Sequence, residues 1–593
     1  MKNYLTLVRS LIALTIFCGV LTSCEQKRPL KTCETFAEMA DPTSDTLSDW
    51  SQSLPGLNAS FVSIDTKYPK SVMPQPEKNQ SCKLTGWKGE KLSGQLLLWS
   101  AENIQQVECE FGDFKSSDGT VLSNIAQARF VRYVMTDIFE PGCGYRKPED
   151  FPASLTADML DNLECFNIDA KTARPVWLTV SIPQSAKAGI YTGKLKVYAR
   201  DQKTQEFEIS LEVQDRTLPT PSEWAYHLDL WQHPSAVARV QNLKVWSDEH
   251  FEALKPLMKM LADAGQKVIT ANINKEPWNN QCFDPYADMI TWTKNADGTW
   301  SYDYTIFDRW VQMMMDIGIN KMINCYSMIP WNNEIHYTDA ASGKVIDVKA
   351  DPGTKIFVDM WTPFLTDFTK HLKDKNWLEI TNIAMDERSP ESMKATVELL
   401  QKVSPELGIS LADNHQSYKK YPFIKDMCVA AGAKVDSADI TMRREKGLIT
   451  TYYVCCSDKF PNVFTCSDPA EAVYISWYAI AADYDGFLRW AYNSWVENPL
   501  TDSRFRTWPG GDTYIVYPDA RSSIRFERLI EGIQDFEKIR MLRQDLEKAN
   551  TAESLSKLDK LNTEVAKFNT IEPKEPYVDM LNKAKTMINE LSR

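Results

Sequence analysis

Strict alternation of apolar and polar residues marks the N-terminal third of the chain. In 206-EFEISLEV-213, Phe207, Ile209, Leu211 and Val213 alternate with Glu206, Glu208, Ser210 and Glu212. The stretches 177-WLTVSI-182 and 189-GIYTGKLKVYA-199 keep the same period of two. Such a period sets one face in a core and the other in water, as in antiparallel sheets, and predicts a β-sandwich over residues 30–215. The proline-bearing 215-DRTLPTPSEW-224 reads as the linker out of it.

After Trp224 the rhythm changes. Short apolar runs alternate with longer helical stretches, the βα pattern of a parallel sheet. Candidate strands are 224-WAYHLDLW-231, 267-KVITANI-273, 321-KMINCYSM-328, 378-LEITNIAM-385, 408-GISLAD-413, 437-SADITM-442, 448-LITTYYVCC-456 and 486-GFLRWAY-492. Between them, 248-DEHFEALKPLMKMLADAG-265 carries Phe251, Leu254, Leu257, Met258 and Leu261 on one stripe and stops at Gly265, and 391-ESMKATVELLQKV-403 is a second helix. Eight strands suit a (β/α)8 TIM barrel over residues 222–520, with an open doubly wound sheet as the competing architecture. Residues 521–593 read as a helical extension. There Ile524, Leu529, Ile533 and Phe536 keep a stripe, Arg525, Glu527, Arg528 and Glu531 read as ion pairs along one helix, and the tail reads as a helix pair packed on the barrel. The expected fold is thus multidomain: an N-terminal antiparallel β-sandwich, a (β/α)8 barrel and C-terminal helices.

Composition narrows the function. A net charge of −13 with no basic stripe excludes nucleic acid as a partner. The 18 Trp and 23 Tyr supply planar rings suited to flat apolar ligand faces. The 6 His show no HxH or HExxH spacing and the 13 Cys no CxxC, so no metal and no cofactor are expected. Cys455 and Cys456 read as two small buried side chains. Residues 1–23 read as an export signal. Lys2 and Arg9 precede 11-LIALTIFCGVLT-22, which is too short to span a bilayer, and 21-LTSC-24 resembles a lipoprotein box with Cys24 as the lipidated residue. The expected protein is an exported bacterial lipoprotein that meets the membrane through its lipid anchor only.

The chemistry centres on 383-IAMDERSPES-392. If 378–385 is a barrel strand, Asp386 and Glu387 lie at its C-terminal end, where barrel active sites form. Neighbours on a regular strand point to opposite sides, so the backbone must bend for both acids to reach one ligand. Arg388-Ser389-Pro390 makes that departure plausible. A pair of adjacent acids cannot flank a glycosidic bond from opposite sides, as two separated carboxyl groups do. It fits substrate-assisted catalysis, in which a 2-acetamido oxygen attacks the anomeric carbon. One acid then serves the leaving oxygen, and the other holds the acetamido N–H.

The run 384-AMDE-387, with 485-DGFLRWAYNSW-495, 511-GDTYIVYP-518 and 523-SIRFERLIEGIQDFE-537, resembles glycoside hydrolase family 123, a family of β-N-acetylgalactosaminidases. The resemblance covers nearly the whole mature chain. It implies a retaining, metal-free, substrate-assisted mechanism on a glycan or glycolipid, with Glu387 as general acid and then base and Asp386 orienting the 2-acetamido group. Position on the barrel adds candidates for the sugar pocket: Trp231 and His233 after the first strand, Tyr326 on the third, Asn414 and His415 after the fifth, and Trp490, Tyr492, Asn493 and Trp495 on or after the eighth. Asp512 is a candidate for sugar hydroxyls. The alternatives are a hydrolase specific for another 2-acetamido sugar, such as N-acetylglucosamine, and a glycan-binding lipoprotein without catalysis.

Overall fold

Alternation along the N-terminal strands resolves into two packed sheets. A computed structural model describes residues 31–42, 48–137, 139, 143–144, 147–413, 415–433 and 435–593. Cys24 and residues 1–23, expected to be an export signal, and Asn414 lie outside the described residues. One sheet orders strands Asn58–Val62, Lys91–Ser100, Thr172–Ser181, Ala126–Asp137 and Ala153–Leu160. The other runs Ser81–Lys88, Gln205–Thr217, Gly189–Tyr198, Ile104–Phe111 and Phe166–Ile168, with two short strands off its path. Pairing is antiparallel except between Gln205–Thr217 and Ser81–Lys88. Phe207, Ile209, Leu211 and Val213 enter the shared core as the alternation requires.

Eight parallel strands then form a nearly closed barrel: β1 His227–Leu230, β2 Val268–Asn272, β3 Met322–Tyr326, β4 Thr381–Asp386, β5 Gly408–Asp413, β6 Asp426–Ala430, β7 Ile449–Tyr453 and β8 Gly486–Arg489. The ladder runs β1-β8-β7-β6-β5-β4-β3-β2. The β1–β2 seam is held by a Leu228–Gln266 bridge and by the Gln266 side chain, which accepts the Leu230 N–H at 3.0 Å and donates to Val268 O at 2.8 Å. Leu228, Ile269, Ile323, Ile383, Ile409, Met427, Tyr452 and Phe487 point outward into the helix layer. The residues alternating with them fill the interior. Asn324, Asn382, Ser410 and Asp426 make a hydrogen-bonded layer, and Trp231, Tyr326, Ala384, Ala412, Cys428, Tyr453 and Leu488 lie in an apolar cluster at the strands' C-terminal end.

Between β1 and β2 the chain forms a short helix, Pro234–Val240, and a longer one, Asp248–Ala262, with Ser247 capping His250 N. Gly265 follows at φ +89, where a Cβ would lie 2.7 Å from the Trp224 ring. One strand expectation is corrected. Residues 437–442 belong to helix Ser437–Glu445, because the Asp436 carboxylate caps Ala438 N at 2.9 Å; the sixth strand is Asp426–Ala430. Four further strands, Thr291–Lys294, Trp300–Asp303, Glu334–Asp339 and Lys344–Lys349, form a small sheet inserted around β3.

The C-terminal helix Ile524–Ala549 joins barrel to sandwich. Arg525 binds Asp158 of the sandwich at 2.8 Å, and Glu527 accepts from Lys91 at 2.6 Å and Arg129 at 2.9 Å. These charges therefore pair mainly across the domain interface, with Arg528–Glu531 as the pair along the helix. No helix among the described residues is long and apolar enough to cross a membrane.

Candidate active site

Strand β4 supplies both acids. Ile383 and Met385 face the outer core, while Asn382, Ala384 and Asp386 face inward. On a regular strand Glu387 would point away from Asp386. Instead Glu387 takes a left-handed φ of 47°, while its N–H still donates to Ala412 O on β5 at 3.0 Å. That conformation costs a residue with a Cβ about 1–2 kcal/mol. Ser389 caps the next helix, Pro390–Val403, so the turn is confined to the strand tip. Asp386 and Glu387 thus line the same cavity.

The Trp278 Nε1–H donates to Asp386 Oδ2 at 2.9 Å, and the Trp331 Nε1–H donates to the Asp386 carbonyl at 3.2 Å. Burial, with the Glu387 charge adding, pushes the Asp386 carboxyl up to about 8, against the opposing pull of the Trp278 N–H. The Tyr453 hydroxyl, at the end of β7, donates to Glu387 Oε1 at 2.6 Å. Burial and then the Glu387 charge push this phenol far up, so it remains a donor. Arg388 donates to Trp331 O at 3.1 Å and Asn333 Oδ1 at 2.7 Å, fixing the Trp331 loop.

The cavity opens to solvent, and rings and carboxyl groups from several strand ends line it together. Trp231 forms part of its lining and stacks on Trp278 at 4.9 Å, with Tyr326 packed at 4.7 Å from Trp231. Trp331, Trp490 and Trp508 form walls, the last two with ring centroids 5.8 Å apart. Asp512 also lines it, and its Oδ1 accepts from the fully buried Arg489 at 2.8 Å.

Of the residues singled out in the sequence, Asp386, Glu387, Trp231, Trp490 and Asp512 meet at this cavity. Tyr326 packs beneath it. His233, Tyr492, Asn493 and Trp495 do not line it. The His233 ring stacks on Tyr286 at 3.7 Å and is held neutral, with burial pushing its pKa down to about 3. Asn493 clamps the His233 backbone through two 2.9 Å hydrogen bonds. Tyr492 donates to Leu257 O at 3.0 Å and Trp495 to Val516 O at 2.8 Å, both inside the core. His415 is exposed on the loop after β5, its N–H on Asp413 Oδ1.

Sequence reasoning missed Tyr453, Trp278, Trp331 and Trp508. Tyr453 ends β7, but the expected strand ran on to Cys456, which put Tyr453 in its interior and hid it from the strand-end rule. The three tryptophans sit on long loops, where periodicity gives no signal. Cys456 is disulfide-bonded to Cys143 of the sandwich, while Cys455 is a half-buried thiol that burial pushes up to about 11. Among the described residues, Cys143, Cys455 and Cys456 form the one group compact enough to hold a metal, and two of its sulfurs are already joined.

The catalytic-domain model of glycoside hydrolase 123 matches residues 231–542, and the glycoside hydrolase 123 N-terminal domain matches residues 61–199. A solved family 123 glycoside hydrolase from Clostridium perfringens, studied for the details of glycolipid glycan hydrolysis, aligns at TM-score 0.81 and 29% identity, over 90% of this chain and 98% of that one. A putative glycoside hydrolase from Bacteroides vulgatus aligns at TM-score 0.31 and 9% identity, over 74% of this chain and 78% of that one. A Bacteroides ovatus GH5 xyloglucanase aligns at TM-score 0.30 and 8% identity, over 80% and 100%. No curated protein matches the chain.

Proposed function

The chain belongs to glycoside hydrolase family 123 and is a glycoside hydrolase; from that premise we propose that it releases terminal β-linked N-acetylgalactosamine from glycans or glycolipids with retention, the substrate's own 2-acetamido group acting as nucleophile. One observation carries the reading. The left-handed turn at Glu387 brings two consecutive carboxyl groups to one cavity beside a stack of aromatic rings. Acids side by side suit a substrate that brings its own nucleophile.

The sugar's acetamido arm lies toward Asp386 and the tryptophan stack, with Trp490 and Asp512 along the rest of the ring. The acetamido carbonyl oxygen attacks C1, and the bond from C1 to the leaving oxygen breaks. Glu387, hydrogen-bonded by Tyr453, gives its proton to that oxygen. An oxazolinium results. Water then attacks C1, Glu387 takes its proton, and the acetamido group is restored. An intramolecular nucleophile held in place is worth about 10⁵–10⁸ M in effective concentration, and general acid help adds about 10²–10⁴. Asp386 accepts the amide N–H. In its ionised form it offsets the positive charge that grows on the oxazolinium. The buried His233 and Asn493 hold the cavity walls. Export as a lipoprotein anchored through Cys24 belongs to the same reading, and the Cys33–Cys165 and Cys143–Cys456 disulfides suit an oxidising compartment.

Aryl glycosides test it. The 2-acetamido-galactoside is expected to turn over fastest, the 2-acetamido-glucoside more slowly and the plain galactoside barely. Comparable turnover of the plain galactoside overturns substrate assistance, and a preference for the gluco compound reassigns the sugar. In the same panel, Glu387→Gln is expected to slow poor leaving groups most, because they need the proton.

A further inference from the structure

One buried acid beside the cavity takes no part in the chemistry above. Glu276, on the loop after β2, is 7% exposed. Its Oε1 accepts the Trp278 N–H at 3.0 Å and its Oε2 accepts the Tyr286 N–H at 2.5 Å. A single carboxylate therefore ties two separated points of the loop together. The rings at those points pack on each other at 4.7 Å, and Tyr286 in turn stacks on His233.

The same stretch controls what Asp386 touches. The Trp278 indole donates to Asp386 Oδ2 at 2.9 Å. The neighbouring Pro277 carbonyl accepts the Trp331 N–H at 2.9 Å, and the Trp331 indole donates to the Asp386 carbonyl at 3.2 Å. Both indole N–H groups that reach Asp386 thus hang on residues 276–278. Burial, opposed by its two backbone donors, pushes Glu276 up to about 7. An acid kept in so apolar a place costs stability that an uncharged side chain would not, which separates it from ordinary loop packing.

We propose that Glu276 is a positioning residue for catalysis: by clamping the Trp278–Tyr286 loop, it orients the Trp278 and Trp331 indoles that hold Asp386 toward the substrate's acetamido arm. The inference rests on the substrate-assisted reading of Asp386. Gln at this position keeps the volume but offers one acceptor oxygen, so one of the two backbone N–H groups meets an amide NH₂.

The test is a double-mutant cycle on the full chain, using aryl 2-acetamido-galactosides with good and poor leaving groups. Glu276→Gln is expected to lower kcat by about 10- to 100-fold with little change in KM, from the usual worth of hydrogen bonds to a charged group. The loss should be equal across leaving groups, the mark of Asp386 rather than of Glu387. In an Asp386→Asn background, Glu276→Gln should add less than about 3-fold, because the group it serves is already impaired. Trp278→Phe keeps the ring, removes the donor and should show the same non-additivity, so it decides the matter should Glu276→Gln not fold. Multiplying losses in the cycle, or an effect confined to KM, overturn the role of Glu276 and leave the reaction intact. Wild-type turnover by Asp386→Asn overturns the substrate-assisted reading itself.

Discussion

Replacing Asp386 with Asn should stabilise the fold increasingly as pH rises, while impairing catalysis. Burial and the neighbouring Glu387 charge raise the Asp386 carboxyl from 3.8 to about 8 on folding. A folded value above the unfolded one means that the native state holds the proton more tightly. The resulting stability is fully present below the unfolded value and is lost as pH rises to the folded one. Each pH unit across that span carries ~1.4 kcal/mol, so complete ionisation of a sealed site would remove on the order of 5 kcal/mol. Asp386 keeps partial contact with water through the cavity, and screening there reduces the effect to about 2–3 kcal/mol. Asn cannot ionise, and its carbonyl oxygen still accepts the Trp278 N–H.

The assay is urea unfolding of both proteins between about pH 5 and about pH 9, followed by tryptophan fluorescence. The readout is how the stability difference between variant and wild type changes with pH, which cancels every other titrating group to first order. The difference should move in favour of Asn by about 1.5–2 kcal/mol between those limits. Parallel profiles would refute the reasoning, since they would mean that Asp386 ionises as easily in the cavity as in the unfolded chain.

Two further outcomes follow from single contacts. Tyr453→Phe removes the 2.6 Å hydrogen bond to Glu387 and should lower kcat by about 10- to 100-fold without loss of folded protein, measured by initial rates beside circular dichroism. Asp158→Asn leaves the buried Arg525 without its counter-charge and should cost about 3–5 kcal/mol, seen as an earlier thermal transition.

Much of this architecture was legible because it follows from burial period alone. The sandwich strands around residues 177–213 alternate, and seven of the eight barrel strands coincide with apolar runs. The failure at 437-SADITM-442 has a local cause. Its β-branched Ile440 and Thr441 suit a strand, but the Asp436 cap starts a helix, and the true strand, 426-DMCVA-430, is short and unmarked. The meeting of the two adjacent acids was legible for a different reason: a strand end followed by Arg-Ser-Pro must turn. The turn itself, at Glu387, could not be read from residue type, because Glu has no preference for a left-handed backbone. Trp490 and Asp512 were found by position, whereas Tyr492 and Trp495 share the same motif and face the core. A motif records which residues are near a site, and only backbone direction divides those that face it from those that support it. Trp278 and Trp331 come from loops whose path is set by Glu276, Asn274 and the inserted small sheet, through contacts distant in sequence.

The sandwich belongs to the same logic of support. The loop carrying Trp508 and Asp512 is held from both sides. Gly510 N–H donates to Asp137 Oδ1 of the sandwich at 2.7 Å, and Thr465, whose carbonyl accepts from Lys67 at 2.5 Å, hydrogen-bonds Gly510 in turn. Gly511, at φ +78, lies so close that a Cβ would fall 2.0 Å from Thr465 Oγ1. Arg525, anchored on Asp158, donates to the carbonyls of Val463, Gly511 and Tyr514. One cavity wall is therefore built jointly by the two domains, with charges buried between them. Pulling the sandwich away would expose apolar surface, but it would also strip Arg525 of its carboxylate and release the backbone that carries Asp512. In this chain the sandwich acts on the cavity through the loop that it holds, and barrel and sandwich form a single unit as far as the geometry of that cavity is concerned.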